Sequence, residues 1–176
     1  MKIEYYHASK YGNGAMVAEG FKKQMTAKGA AVNIHHVRDV RQNEIPLADL
    51  YLFSSPGRFG KPIGDMLHFL RKTNLPPGTK YTVIATELCP NPVSNRRIPN
   101  EDEIGKCQRV ILIMNQVLQE KGLVKVAEGK ILVTGLKGPL EEGWQRTVEA
   151  FVSQIHLPIN ASKNESLIPF QVISVA

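Results

Sequence analysis

Residues 3–21 read IEYYHASKYGNGAMVAEGF, and this stretch decides the fold. Ile3 to Tyr6 is rich in β-branched and aromatic side chains, so it reads as a strand. A polar, glycine-bearing loop from His7 to Gly14 follows at once. From Ala15 the pattern changes: Ala18, Phe21 and Met25 recur at helical spacing, with Glu19, Lys22 and Lys23 on other faces. Strand, small-residue loop, helix is a device suited to anions. The first amides of a helix have no internal partner, and the helix dipole adds partial positive charge there. Ser9 and Asn13 offer side-chain hydrogen bonds, while Gly12 and Gly14 let backbone approach a phosphate closely. A tight connection with no ligand has the same pattern, so the remaining chain must discriminate.

Reading outward, the first helix ends near Lys28-Gly29, and Ala31 to Val37 (AVNIHHV) reads as strand two. His35 and His36 are adjacent, so a strand points them to opposite faces, against shared metal ligation. Leu50 to Phe53 is wholly apolar, as a strand buried on both faces of a parallel sheet requires. The loop SSPGRFGKPIG, Ser54 to Gly64, comes next, then a helix over Asp65 to Arg71. Tyr81 to Ala85 is strand four, and Thr86 opens a long loop to Pro99. Val110, Ile113, Met114, Val117 and Leu118 form the apolar stripe of a helix expected from Glu101 to Lys121. Lys130 to Thr134 is strand five and Trp144 to Ile155 the last helix. Strands separated by helical segments imply an α/β fold: a five-stranded, doubly wound parallel sheet with helices on both faces. Ligands of such sheets sit beyond the carboxyl ends of the strands, where the strand order reverses. In the order 2-1-3-4-5, strands one and three are neighbours, and their two glycine-bearing loops flank one crevice. One domain is expected over 1–156, with a C-terminal extension, the tail 157–176.

Size and composition agree. A chain of 176 residues, 43% of them hydrophobic, can fill the core of one domain. No apolar run spans a bilayer, so no membrane insertion is expected. The chain opens on a strand, not on a charged-then-apolar leader. Cys89 and Cys107 are too far apart for metal spacing or a disulfide framework, which fits a reducing cytoplasm. The net charge of +6 is scattered and not interleaved with aromatics, which disfavours nucleic acid and leaves an anionic small ligand.

These residues resemble the flavodoxin-like superfamily, and within it the NAD(P)H:quinone oxidoreductases of the tryptophan-repressor-binding-protein type. Those carry a Tyr-Tyr-Ser-x-Tyr-Gly type first loop and a Pro-Thr-Arg-Phe-Gly type second loop. The matching pieces here are YYHASKYGNG and SPGRFG. The likeness covers the first half; the second half matches only in its order of elements. It implies FMN, with the phosphate in the first loop and the isoalloxazine ring against the second. Carried over by position, Ser9, Tyr11, Gly12 and Asn13 hold phosphate or ribityl, and Pro56, Arg58, Phe59 and Gly60 contact the ring or its edge. Lys10, Gly14 and Gly57, with Thr86 and Glu87 of the third loop, complete the candidate set. No catalytic residue and no metal ligand is singled out.

Two departures from common flavodoxins bear on function. Tyr11 and Gly14 stand where flavodoxins have the threonines of Thr-Gly-Asn-Thr. A hydrogen bond to a charged group contributes about 1.5–3 kcal/mol, so their loss weakens FMN binding unless Lys10 or backbone amides compensate. Residues 86–97 contain no aromatic to cover the flavin, which leaves a ring face open to nicotinamide or quinone. Arg58, Arg96 and Arg97 near the ring stabilise a reduced, anionic flavin. The expectation is an FMN-dependent oxidoreductase using NADH or NADPH to reduce quinones or similar acceptors, with homo-oligomerisation implied by the same likeness. The alternatives are a flavodoxin-type carrier serving a redox protein partner, and a flavin-free binding module of this fold.

Overall fold

The structure, a computed structural model, describes residues 1–88, 109–135 and 137–156. Several sequence expectations fall outside them: both cysteines, Arg96 and Arg97, the helix from Glu101 up to residue 108, and the tail. The described chain begins with strand β1 (Lys2–His7), helix α1 (Asn13–Ala27) and strand β2 (Ala31–His36). Strand β3 (Leu50–Arg58), strand β4 (Lys61–Pro62) and helix α2 (Gly64–Lys72) follow. Strand β5 (Lys80–Leu88), helix α3 (Val110–Glu120), strand β6 (Val124–Val133) and helix α4 (Trp144–Ser153) complete it.

The sheet order is β2-β1-β3-β5-β6, with β1 parallel to β2 and β3, and β5 parallel to β3 and β6. The expected count of five changes, because β4 adds a two-residue antiparallel strand to the end of β3. Burial explains the central strands. Side chains alternate between faces, so Ile3 and Tyr5 enter one apolar layer while Tyr6 enters the other. The first layer receives Val17 and Phe21 of α1 with Val148 and Phe151 of α4. The second receives Met66 and Phe69 of α2 with Met114 and Leu118 of α3. Each such side chain, fully buried, contributes about 1.5–3 kcal/mol, which is what closes the helices onto the sheet.

Two boundaries move from the sequence reading. β6 begins at Val124, six residues earlier than expected. Lys125, Glu128 and Lys130 make VKVAEGK look unlike a strand, but among the described residues β6 ends the sheet order, and most of its side chains up to Lys130 are exposed. β3 runs to Arg58, so the second loop is a hairpin and not an open loop. Gly57 faces Pro62 and Arg58 faces Lys61, which leaves Phe59 and Gly60 as a two-residue turn. Both have positive φ, 51° and 72°, the signature of a type I′ turn.

At the carboxyl ends of β1 and β3 the chain leaves in opposite directions, to β2 through α1 and to β5 through α2. The gap opens there. No helix of the described residues is long and apolar enough to cross a membrane.

Candidate functional site

A cleft of about 470 Å³ lies across these strand ends, within the range of about 300–1,000 Å³ common for small-molecule sites. Its first wall is the loop after β1: Ser9, Lys10, Tyr11, Asn13 and Gly14. Its second is the β3–β4 hairpin, Pro56 to Gly60, and its floor is the end of β5, Thr86 to Leu88. Twelve of the thirteen residues singled out in the sequence therefore border one cavity. Gly12 is the thirteenth; it precedes α1 with φ 88° and turns the chain into the helix.

The first loop is held from below by histidines. The Ser9 amide donates to His7 Nδ1 at 3.3 Å, and His36 Nε2 donates to the Ser9 carbonyl at 3.1 Å. The two rings meet edge-on, 5.0 Å apart. Burial, then the neighbouring His36 ring, pushes the His7 imidazole down to about 4, so it is uncharged at neutral pH. Ser9 Oγ accepts from the Gly14 amide at 3.1 Å, which leaves the serine hydroxyl hydrogen as a donor. Asn13 borders the cleft but spends one side-chain donor elsewhere. Its Nδ2 donates to the Lys137 carbonyl at 3.1 Å, clamping α1 to the chain beyond β6. The N-cap Gly12 has no side chain to cap α1 and its first turn holds no acid, but the Gly14 amide is already taken by Ser9 Oγ, so the amides on either side of it are left for an anion.

Aromatic rings stand at the rim. Tyr11 is half exposed, with Lys10 Nζ 5.5 Å and Lys137 Nζ 6.0 Å from its ring centre. Phe59 is 92% exposed, with the Arg58 guanidinium 5.5 Å from its ring. It is the one non-glycine residue at positive φ among the described residues. Left-handed backbone costs an ordinary residue about 1–2 kcal/mol, and the turn's usual occupant is Asn or Gly. The ring is thus held in strained backbone and in water, with the Arg58 guanidinium beside it.

The floor brings the hairpin and β5 together. A Cβ on Gly57 would come 3.1 Å from Val110 Cγ2 and 3.4 Å from Glu87 Cγ, so only glycine fits there without displacement. Glu87 is 2% exposed, and Lys130 Nζ lies 2.9 Å from its Oε2. Burial raises the carboxyl above its ordinary range despite the opposing pull of Lys130. Its Oε1 accepts no hydrogen bond from the described residues. Among the described residues, no cluster of three or more His, Cys, Asp or Glu is placed to hold a metal.

The sequence reading missed Ile63, Leu88, Val110, Val133 and Gly135 of the cleft lining. Gly135 was within reach of the rule that placed the other loops, because it follows the carboxyl end of β6. Val110 was not, since one residue of an apolar helical stripe looks like any other.

The architecture matches that of solved flavodoxins. Flavodoxin 1 from Bacillus cereus superposes with a TM-score of 0.66 at 17% identity, covering 88% of this chain and 96% of that one. The fold is flavodoxin-like. A flavodoxin from the domain Archaea gives 0.63 at 16% identity, again over 88% of this chain and 96% of its own. Rubredoxin oxygen:oxidoreductase from Desulfovibrio gigas gives 0.61 at 12% identity; the match covers 88% of this chain and 35% of that larger one. Identities this low show a shared fold and nothing finer. No protein-family model matches the sequence, and no curated protein matches it. Within the flavodoxin-like fold, the cleft described here lies at the reversal of strand order, between the ends of β1 and β3.

Proposed function

We propose that the cleft binds FMN and that the protein is an NAD(P)H-dependent oxidoreductase acting on quinones or similar acceptors. The observation that carries this reading is Phe59, an exposed aromatic in left-handed backbone at the tip of a hairpin across the cleft from the start of α1. One rim suits a flat ring and the other suits a phosphate. Solved proteins of this fold named flavodoxins support the choice of FMN among ring-bearing phosphates.

The residues fit that cofactor in three respects. The leading amides of α1, with Ser9 and Lys10, would hold the phosphate in place of the two hydroxyls that Tyr11 and Gly14 lack. Phe59 and Tyr11 would hold the ring and ribityl by their faces and edges, and Gly57 keeps the floor low enough to admit them. Glu87 Oε1 accepts no hydrogen bond among the described residues, and a flavin's ring N–H or ribityl hydroxyls can supply one. FMN supplies the electron chemistry; the protein supplies position and charge. Lys10 and Arg58 line the same cleft and favour added negative charge there.

A flavodoxin-type electron carrier is the second reading. Glu87 favours it, because a carboxylate in the cleft opposes added negative charge and holds the potential down. One anaerobic experiment separates the two. Purified protein is loaded with FMN, mixed with NADPH or NADH, and flavin bleaching is followed. Rapid bleaching by either nucleotide supports the reductase. Failure with both, beside rapid reduction by a redox protein, supports the carrier. A colourless protein that takes up no FMN refutes both and leaves a binding module of the same fold.

A further inference from the structure

Beside the cofactor cleft lies a smaller cavity of about 280 Å³. Its walls come from the first loop (Ser9, Lys10), the end of β2 and the chain after it (His36, Arg38), the hairpin (Arg58) and the start of α2 (Gly64, Asp65). The side chains give it three permanent cations, Lys10, Arg38 and Arg58, against one carboxylate, Asp65. Arg38 donates to Asp65 Oδ2 through Nε at 2.8 Å and Nη2 at 2.6 Å, so that pair cancels. Lys10 and Arg58 have no carboxylate partner among the described residues; each only overhangs an aromatic ring. Lys10 is also the cation assigned to the FMN phosphate, so with FMN bound the surplus cation is Arg58, beside an Arg38 guanidinium for which a phosphate monoester, of charge about −1.5 to −2, competes with Asp65.

The arginine is held in place. His36 Nδ1 accepts from the Arg38 amide at 3.1 Å while its Nε2 donates to the Ser9 carbonyl at 3.1 Å. One imidazole thus ties the cavity's wall to the loop of the neighbouring cleft. The cavity is too small for a whole nucleotide but not closed off. It shares Ser9, Lys10, Arg58 and Ile63 with the cofactor cleft, so a ligand seated here extends toward it.

We propose that this cavity is a second anion site, seating a phosphate monoester carried by a nucleotide whose remainder lies toward the cofactor cleft. The proposal rests on the preceding reading in one respect, that FMN fills the cleft. A reductase using a phosphorylated nicotinamide nucleotide meets this description, and the site then selects it over the form without the extra phosphate.

The test is calorimetric titration of FMN-loaded protein with adenosine 2′-monophosphate, with adenosine and inorganic phosphate beside it. Adenosine 2′-monophosphate is expected to bind and adenosine not to. Arg38→Ala should weaken binding about tenfold, the effect of one exposed charge-assisted hydrogen bond. Asp65→Asn should tighten it, because the competing carboxylate is gone; a merely structural ion pair does not give that sign. Both side chains are partly exposed and their pair is worth at most about 1 kcal/mol, so both variants fold and keep their FMN affinity. Absence of binding, equal affinity in wild type and Arg38→Ala, or equal affinity for inorganic phosphate alone overturns the proposal. So does binding only to FMN-free protein, which assigns the cavity to the cofactor's own phosphate. A protein that takes up no FMN refutes the function proposed above, while the same titration of wild type against Arg38→Ala still decides the cavity.

Discussion

Acid should loosen this protein through His7 before it reaches most carboxylates. The imidazole is buried under the first loop, 8% exposed, with its pKa pushed from 6.5 down to about 4. Between those two values the unfolded chain carries a proton that the folded chain refuses. Stability therefore rises with pH across the window and is lost as pH falls through it. Each pH unit inside the window is worth about 1.4 kcal/mol, so the full effect is about 3 kcal/mol, with about 2 kcal/mol gone by pH 5. A marginally stable domain holds about 5–15 kcal/mol in all, so this is a large share. His7→Asn isolates the effect, because an asparagine oxygen can accept from the Ser9 amide as Nδ1 does, and it does not titrate in this range. Urea unfolding of both proteins at pH 8, 6.5, 5.5 and 5 gives the comparison. Wild type should lose about 2 kcal/mol more than the variant between pH 8 and 5, whatever their difference at pH 8. Parallel losses in the two proteins would show that His7 is protonated in the folded state and that the reading of its burial is wrong.

Other outcomes follow from the cleft. Phe59→Gly should raise stability by about 1 kcal/mol by relieving left-handed strain, yet weaken FMN binding about tenfold, seen by denaturation and by flavin fluorescence titration. A loss of stability there would mean that the ring packs on something. Gly57→Ala should cost about 1–3 kcal/mol and narrow the cleft, because the added methyl meets Val110 and Glu87 at 3.1 and 3.4 Å. Unchanged melting and unchanged FMN affinity would refute the close approach. Lys130→Met removes the cation beside a buried carboxylate and should cost about 1–3 kcal/mol at pH 8. Glu87 already ionises above its ordinary range, and losing Lys130 raises it further. The penalty is therefore present where Glu87 is charged and fades as pH falls and it protonates; a deficit constant from pH 8 to 5 argues against this.

Some of this protein is written in local sequence. Ile3 to Phe21 names a strand, a small-residue loop and a helix, because burial on two faces, backbone freedom at glycine and apolar spacing are all short-range properties. The wholly apolar run at Leu50 and the breakers at Pro76 to Gly78 work the same way. Together these are enough for a parallel α/β sheet with its ligand site at the strand ends. Three features came only with the tertiary structure. The hairpin turn at Phe59 is set by β3 pairing with β4, and no local propensity favours phenylalanine in left-handed backbone. β6 starts among charged residues because, among the described residues, its first part pairs with β5 alone and ends the sheet, a fact about neighbours that its own residues do not carry. The basic cavity joins Lys10, Arg38 and Arg58, far apart in the chain, and charge acts through space. Sequence settles what a segment can do alone; which segments meet, and so which charges and rings share a cavity, is decided by the long-range packing of the two apolar layers.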